Sequence, residues 1–492
     1  MTASWYLVIP VLFPAVVGIL TACGLFENRT RRAVVSCCLG INVLLMIPVL
    51  LSGEKAFQLF GLSRDLPVFL KSDDIAKFFA ALMNLVWFGV GIYSFEYMEH
   101  EKSLNRYYGF YLMTGGALTA LCMSGSIVTF YMFYELMALL SVPMVVHTMQ
   151  KDAVAAGIKY LIYSVLGASL ALLGMFLLAG NVSSFSFAPG GVLNDAGKAE
   201  ARDTVLAAGM LMIVGFGTKA GMFPLHGWLP TAHPVAPAPA SAVLSGIITK
   251  SGVLGVYRVV YELIGAEALR GSWVQIVFLA LTMFTVFSGS LLAYKEQLLK
   301  KRLAYSSVSQ VSYVLFGLAT MTAPGVIGAL LHVCAHSLIK DTLFMSAGAI
   351  IHTTGKTRVE ELEGIGKRMP KVMTCFTAVS LGLVGIPPCL GFVSKWYLAQ
   401  GSLVAAGIPE WLTWLGPAVL LVSALLTAGY LLSIVIRGFF PSREIPEESL
   451  TKCDPGASMW IPMACFALLS VALGVFPGKL IALFSSIAAS VL

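Results

Sequence analysis

The stretch Gly215-Phe-Gly-Thr-Lys219-Ala-Gly-Met-Phe-Pro224-Leu-His-Gly-Trp-Leu-Pro230-Thr-Ala-His-Pro234-Val-Ala-Pro237-Ala-Pro239 decides how the chain folds. It joins two long apolar runs, 204–223 and 239–262, and sets a lysine and five prolines where neither is expected. Each proline removes a backbone donor and displaces the carbonyl one turn back. Irregular backbone at membrane depth survives only where it is buried in protein or lines a wet cavity. The stretch therefore predicts a broken helix, with an ionisable group beside the break.

The surrounding composition places that break in lipid. Of 492 residues, 58% are hydrophobic and only 12% charged, too few polar groups to cover a soluble globule of this size. Apolar runs follow one another at 4–25, 33–52, 74–95, 107–125, 127–147, 157–180, 204–223, 239–262, 272–293, 303–321, 325–351, 372–400, 411–436 and 457–476. Each is near the ~20 residues a bilayer requires, so an all-α membrane protein of about 14 transmembrane helices is expected. The connections 181–203 and 438–456 carry Gly, Pro, Asp and Glu and read as surface loops, leaving no soluble domain. The first run has no basic residue ahead of it and reads as a retained helix rather than a cleaved signal.

Lys and Arg concentrate in loops that follow odd-numbered runs, with Lys295, Lys300, Lys301, Arg302 and 356–371 contributing most. Both termini are accordingly expected outside a cell membrane. That orientation accounts for the net charge of +7, and nucleic acid is not an expected partner. Nine cysteines are scattered without a C-x-x-C pair, and no Gly-rich phosphate loop is joined to a strand–helix unit. No cofactor is expected in this chain, and any redox chemistry falls to a partner.

An ionised side chain at the bilayer centre costs at least ~2.5–3.5 kcal/mol. Several are set there. Glu135 lies mid-run in Thr129-Phe-Tyr-Met-Phe-Tyr-Glu135-Leu-Met-Ala, Lys219 near the end of the seventh run, Lys250 well inside the eighth, and Lys395 after Pro387-Pro388 in the twelfth. His332, His336 and Lys340 recur at intervals of four in the eleventh, which puts them on one helix face climbing about 12 Å. Titratable groups a few ångströms apart, bridged by water, suit stepwise proton transfer, since desolvation draws a lysine toward neutrality and histidine already titrates there. Lys219 alone also fits a lysine snorkelling to the interface. A metal is the other use of two His four apart, but no third ligand is visible and Lys340 on the same face repels a cation. Glu96, Glu99 and Glu101 read as a solvated face.

The breaks in the seventh and twelfth runs are five runs apart, and an odd offset forces opposite orientation. Two inverted five-helix repeats follow, runs 4–8 over residues 107–262 and runs 9–13 over 272–437. Residues 1–106 would form an N-terminal unit of three helices, and 457–492 would carry the last helix.

At this point the sequence resembles the antiporter-like subunits shared by respiratory complex I, Mrp-type cation/proton antiporters and energy-converting membrane hydrogenases. The resemblance rests on Tyr131-Met-Phe-Tyr-Glu135-Leu, on Lys219 through Gly246, on Lys301-Arg-Leu-Ala-Tyr-Ser-Ser-Val-Ser-Gln310 and on His332 through Lys340. It implies 14 helices, two half-channels and a central polar axis. It also implies roles, with Glu135 as the acid paired with Lys219, Lys250 as the central relay, His332, His336 and Lys340 as the link, and Lys395 as the terminal lysine. The implied partners are other membrane subunits of the same family, a set of small membrane subunits and a peripheral redox module. Iron–sulfur, flavin or NiFe centres would lie in those partners. A sodium/proton exchanger of the Mrp type and a non-transporting scaffold are the competing readings, and an organic-solute transporter would need an interior pocket of metabolite size. Two departures stand out. Asp341 follows Lys340 where a neutral residue is expected, and the long lateral helix of the largest members has no expected counterpart.

Overall fold

The structure, a computed structural model, describes residues 4–63, 66–441 and 451–492. It is mostly helical. The helices are α1 (Ile9–Ala22), α2 (Asn28–Leu51), α3 (Asp74–Tyr97), α4 (Leu104–Cys122), α5 (Ile127–Val145), α6 (Lys151–Leu178), α7 (Arg202–Ala220) and α8 (Ala238–Leu263). They continue as α9 (Trp273–Lys295), α10 (Leu299–Ala319), α11 (Ala323–Thr354), α12 (Pro370–Val384), α13 (Leu390–Leu403), α14 (Glu410–Phe439), α15 (Ala457–Val475) and α16 (Gly478–Val491). Among the described residues, 10 helices are long and apolar enough to cross a membrane.

Burial separates outer helices from central ones. In α14 only a third of the apolar window is buried, and Leu421 and Leu425 stand exposed on it. The windows of α8 and α11 are 100% and 89% buried, and α10 is buried along nearly all its length, so these helices form the centre. Apolar side chains thus face outward and the polar ones are gathered inside, as expected when the solvent is hydrocarbon.

Both expected breaks are present. Helix α7 stops at Ala220 because Gly221 turns left-handed at φ 82°, which a residue with a Cβ adopts at a cost. A short helix, Leu229–Val235, intervenes before α8. Three side chains satisfy carbonyls freed by the interruption: Trp228 Nε1 donates to Thr218 O at 2.9 Å, Ser241 Oγ to His233 O at 3.0 Å, and Lys300 Nζ to Pro234 O at 3.3 Å. Lys300 also donates to Ala236 O. This corrects its reading as a loop charge, for the side chain is buried against the break. The second break begins at Gly385, φ 94°, and separates α12 from α13.

Two elements were not foreseen. A hairpin of β1 (Ala56–Ser63) and antiparallel β2 (Leu66–Lys71) sits between α2 and α3 and is tied to the end of α4, where Lys71 N donates to Met123 O at 2.6 Å. Helix α16 has 14 residues, below the length that marks a span in sequence.

Candidate functional site

The first cluster forms where α7 ends. Lys219 is 1% exposed, which removes the snorkelling reading. Its ammonium donates to Ser164 Oγ at 2.8 Å and Tyr160 Oη at 2.9 Å, both from α6. Rings of Tyr160, Tyr134 and Trp228 surround it at 4.3, 5.8 and 5.8 Å, so cation–π attraction replaces part of the lost hydration. Tyr160 passes the connection on to Ser141 Oγ at 2.7 Å. Glu135, on α5, is only half-buried, and its interaction with Lys219 is one of charge.

The centre is a contact between two of the central helices, α8 and α11. Lys250 Nζ on α8 lies 2.6 Å from His336 Nδ1 on α11 and donates to Ser245 O at 2.7 Å. That carbonyl belongs to a π turn, Leu244–Ile248, where the helix widens by one residue. His332 sits one turn from His336 with ring centroids 6.1 Å apart. Its Nδ1 meets Ser394 Oγ on α13 at 2.9 Å, and its face stacks on Tyr313 of α10.

Lys395 closes the line on the far side. It follows Ser394 in the chain, faces the Tyr313 ring at 5.1 Å and donates to Leu383 O and Val384 O at 2.6 and 2.9 Å. Those are the last carbonyls of α12, the negative end of its dipole, which favours a cation there. Lys340 branches away from the line, donating to Ser306 Oγ at 2.6 Å and Leu303 O at 3.1 Å, and Ser306 continues to Tyr430 Oη at 2.7 Å.

Of the seven residues singled out in the sequence, Lys250, His336, His332 and Lys395 are brought into one continuous neighbourhood through Ser394 and Tyr313. Lys219 with Glu135 forms a separate cluster, and Lys340 a side branch. The structure adds what spacing left out. Glu262, unlike the half-buried Glu135, is buried, and Arg258 binds both Glu262 and Asp73. Arg258 and Glu262 stand four apart inside the eighth apolar run, which is the signal that marks them. The serines and tyrosines carry no such mark.

Among the described residues, no group of three or more His, Cys, Asp or Glu is placed to hold a metal ion. A cavity of about 480 Å³ is lined by Gly190, Gly191, Leu193, Arg202, Ile264 and Glu267, and none of the seven residues lines it.

Fold and site together define a multi-pass membrane protein whose interior carries a line of buried bases. A family model described as NADH:quinone oxidoreductase/Mrp antiporter, TM, matches residues 124–427, and the chain belongs to that family. An NADH-quinone oxidoreductase subunit from Desulforudis audaxviator is 32% identical over 414 residues, 81% of each chain. Hydrogenase-4 component B from Escherichia coli is also 32% identical, over 67% of this chain and half of its own length. A Na(+)/H(+) antiporter subunit from Bacillus subtilis is 26% identical over 95% of this chain and 93% of its own. Among solved structures, a chain of an archaeal membrane-bound sulfane sulfur reductase superposes with a TM-score of 0.86, covering 99% of this chain and 98% of that one. At 21% identity that last likeness speaks for the fold alone.

Proposed function

We propose that the chain is the proton-translocating, antiporter-like subunit of a redox-driven membrane complex, carrying protons along Glu135, Lys219, Lys250, His332, His336, Lys340 and Lys395. The observation that carries the reading is the contact of 2.6 Å between Lys250 Nζ and His336 Nδ1 in the fully buried centre. A lysine and an imidazole in contact hold at most one easily shared proton, since two adjacent cations in low dielectric repel strongly. A charge arriving at one end therefore displaces one at the other.

In this reading the chain spans a cell membrane with about 14 helices and both termini outside. Two inverted repeats of five helices meet at Lys250 and His336. The left-handed glycines that end α7 and α12, the first beside the buried Lys219 and the second beside the half-buried Lys395, support that symmetry. Redox centres sit in a peripheral module, and other membrane subunits of the same family and smaller ones complete the assembly. Kinship with an oxidoreductase subunit and a hydrogenase component supports those partners.

Purified complex in liposomes gives the test. Replacing Lys219→Ala is expected to lower the protons taken up per redox turnover. An unchanged ratio would remove Lys219 from the path. The full-length similarity to an Na(+)/H(+) antiporter subunit keeps a sodium/proton exchanger as the second reading. Sodium-driven proton movement without a redox donor would favour it, whereas uptake that requires the donor and ignores sodium would remove it.

A further inference from the structure

The acid that follows Lys340 has a place of its own. Asp341 is fully buried, and neither carboxylate oxygen has a hydrogen-bond partner. A buried polar group left unpaired costs about 1–3 kcal/mol, and more when charged, so a carboxylate in this state asks for a reason.

The surroundings supply one. Ser337, one turn earlier on α11, donates from Oγ to Gly246 O at 2.8 Å and locks that face of α11 against the π turn of α8. The carboxylate occupies the space over Gly246, where a Cβ would collide with it. Glycine and the widened turn together make room for an acid. Lys250 from α8 acts on it by charge, and Asp341 in turn acts on the phenol of Tyr111 from α4, whose hydroxyl donates to Trp87 O. Lys340 precedes it in the chain but turns its ammonium to Ser306 and Leu303. Lys250 spends its own hydrogen bonds on Ser245 and His336, so acid and base share a charge interaction without touching.

We propose that Asp341 is a proton-holding group of the central site, the counter-acid of Lys250 set off the line on the Gly246 side. The proton breaks from Nζ of the Lys250 ammonium and bonds to a carboxylate oxygen of Asp341, either through one water or by rotation of the acid. Ammonium plus carboxylate becomes amine plus carboxylic acid. Net charge is zero before and after this transfer, so neither of these two states holds an unpaired ion in low dielectric. The neutral amine then accepts the next proton from His336 as a transient ammonium beside the neutral acid; once that ammonium has passed its proton to the next carrier, Asp341 returns its own to the amine and the ammonium–carboxylate pair is restored. The site thus stores one proton while passing another.

This inference rests on the reading of Lys250 as the central relay, and the test separates the two. Complexes carrying Asp341→Asn, Asp341→Glu and Lys250→Ala are reconstituted and their proton uptake per turnover compared. Asp341→Asn is expected to lower it by at least about tenfold and Asp341→Glu to restore most of it. Infrared difference spectra of the complex are expected to show a carboxylic-acid C=O band that vanishes in Asp341→Asn and shifts in Lys250→Ala. Wild-type uptake in Asp341→Asn, with uptake lost in Lys250→Ala, would overturn the role of Asp341 and leave the relay standing. Unchanged uptake in both would overturn the relay itself. If Asp341→Asn does not assemble, the band alone decides, and a C=O band indifferent to Lys250→Ala refutes the pairing.

Discussion

Lys219 and Lys340 are both held by hydroxyls, and those hydroxyls decide how each lysine behaves. Ser306 is the only side chain that accepts from Lys340 among the described residues, the other acceptor being Leu303 O. Ser306→Ala leaves a buried donor short of a partner and is expected to cost about 1–3 kcal/mol, read as a lower melting temperature of the complex in detergent. No change would mean that water already serves Lys340. Tyr160→Phe removes one acceptor of Lys219 while keeping the ring beneath it and Ser164. Proton transfer is therefore expected to fall further than stability, a split that loss of packing alone would not give. At this scale the sequence was readable where charge is rare. A lysine or histidine inside an apolar run stands out at once, and the i, i+4 spacing of His332, His336 and Lys340 put them on α11 as found. Their separate partners, Lys250, Ser394 and Ser306, were not readable, because serine is common in membrane helices and nothing in one sequence pairs a serine on α13 with a histidine on α11.

Breaks are the feature that works at the scale of elements. Gly385 ends α12 at φ 94°, and a Cβ there would lie 3.0 Å from Lys395 Cδ. Gly385→Ala is expected to cost about 1–2 kcal/mol for the left-handed backbone and to displace Lys395 from the α12 carbonyls. Uptake per turnover reports the displacement, and an unaltered ratio would show that the ammonium does not need that cradle. Outside the membrane, the turn between α11 and α12 depends on Glu361, whose Oε2 accepts the N–H groups of Arg358 and Thr357 at 2.9 Å each. Those two bonds hold its carboxyl below the usual value. The order they give is complete above the ordinary glutamate range near ~4.3 and is lost as pH falls through the lowered value. Hydrogen exchange at Thr357 and Arg358, referenced to Glu361→Gln, should show protection at neutral pH that the variant lacks; equal protection in both would contradict it. Prolines announced both breaks in the sequence. The hairpin of β1 and β2 stayed hidden because its short apolar strands lie between two longer runs and resemble a loop.

The whole molecule is tied across its length by Arg258, which donates to Asp73 Oδ1 and Oδ2 at 2.9 and 2.8 Å across 185 positions of sequence and also binds Glu262. Arg258 is buried while the Asp73 side chain is 16% exposed, and Glu262 stays with the guanidinium, so Asp73→Ala is expected to lower the melting temperature by less than the loss of a fully buried pair would. A melting temperature equal to wild type would mean that the pair is open to water in the assembly. Helical class and membrane residence were legible because composition alone fixes them, and the breaks were legible because prolines cluster there, whereas the single prolines Pro14, Pro48, Pro143, Pro417 and Pro462 sit inside unbroken helices. Which run lies at the centre was not, since α8, α11 and the outer α14 are all apolar in sequence and differ only in what covers them. The central claim is that protons cross this chain through the contact of Lys250 with His336. Its most direct test is proton uptake per turnover by reconstituted complex carrying Lys250→Ala. The account predicts that redox-linked uptake through this subunit is lost, and uptake equal to wild type would contradict it.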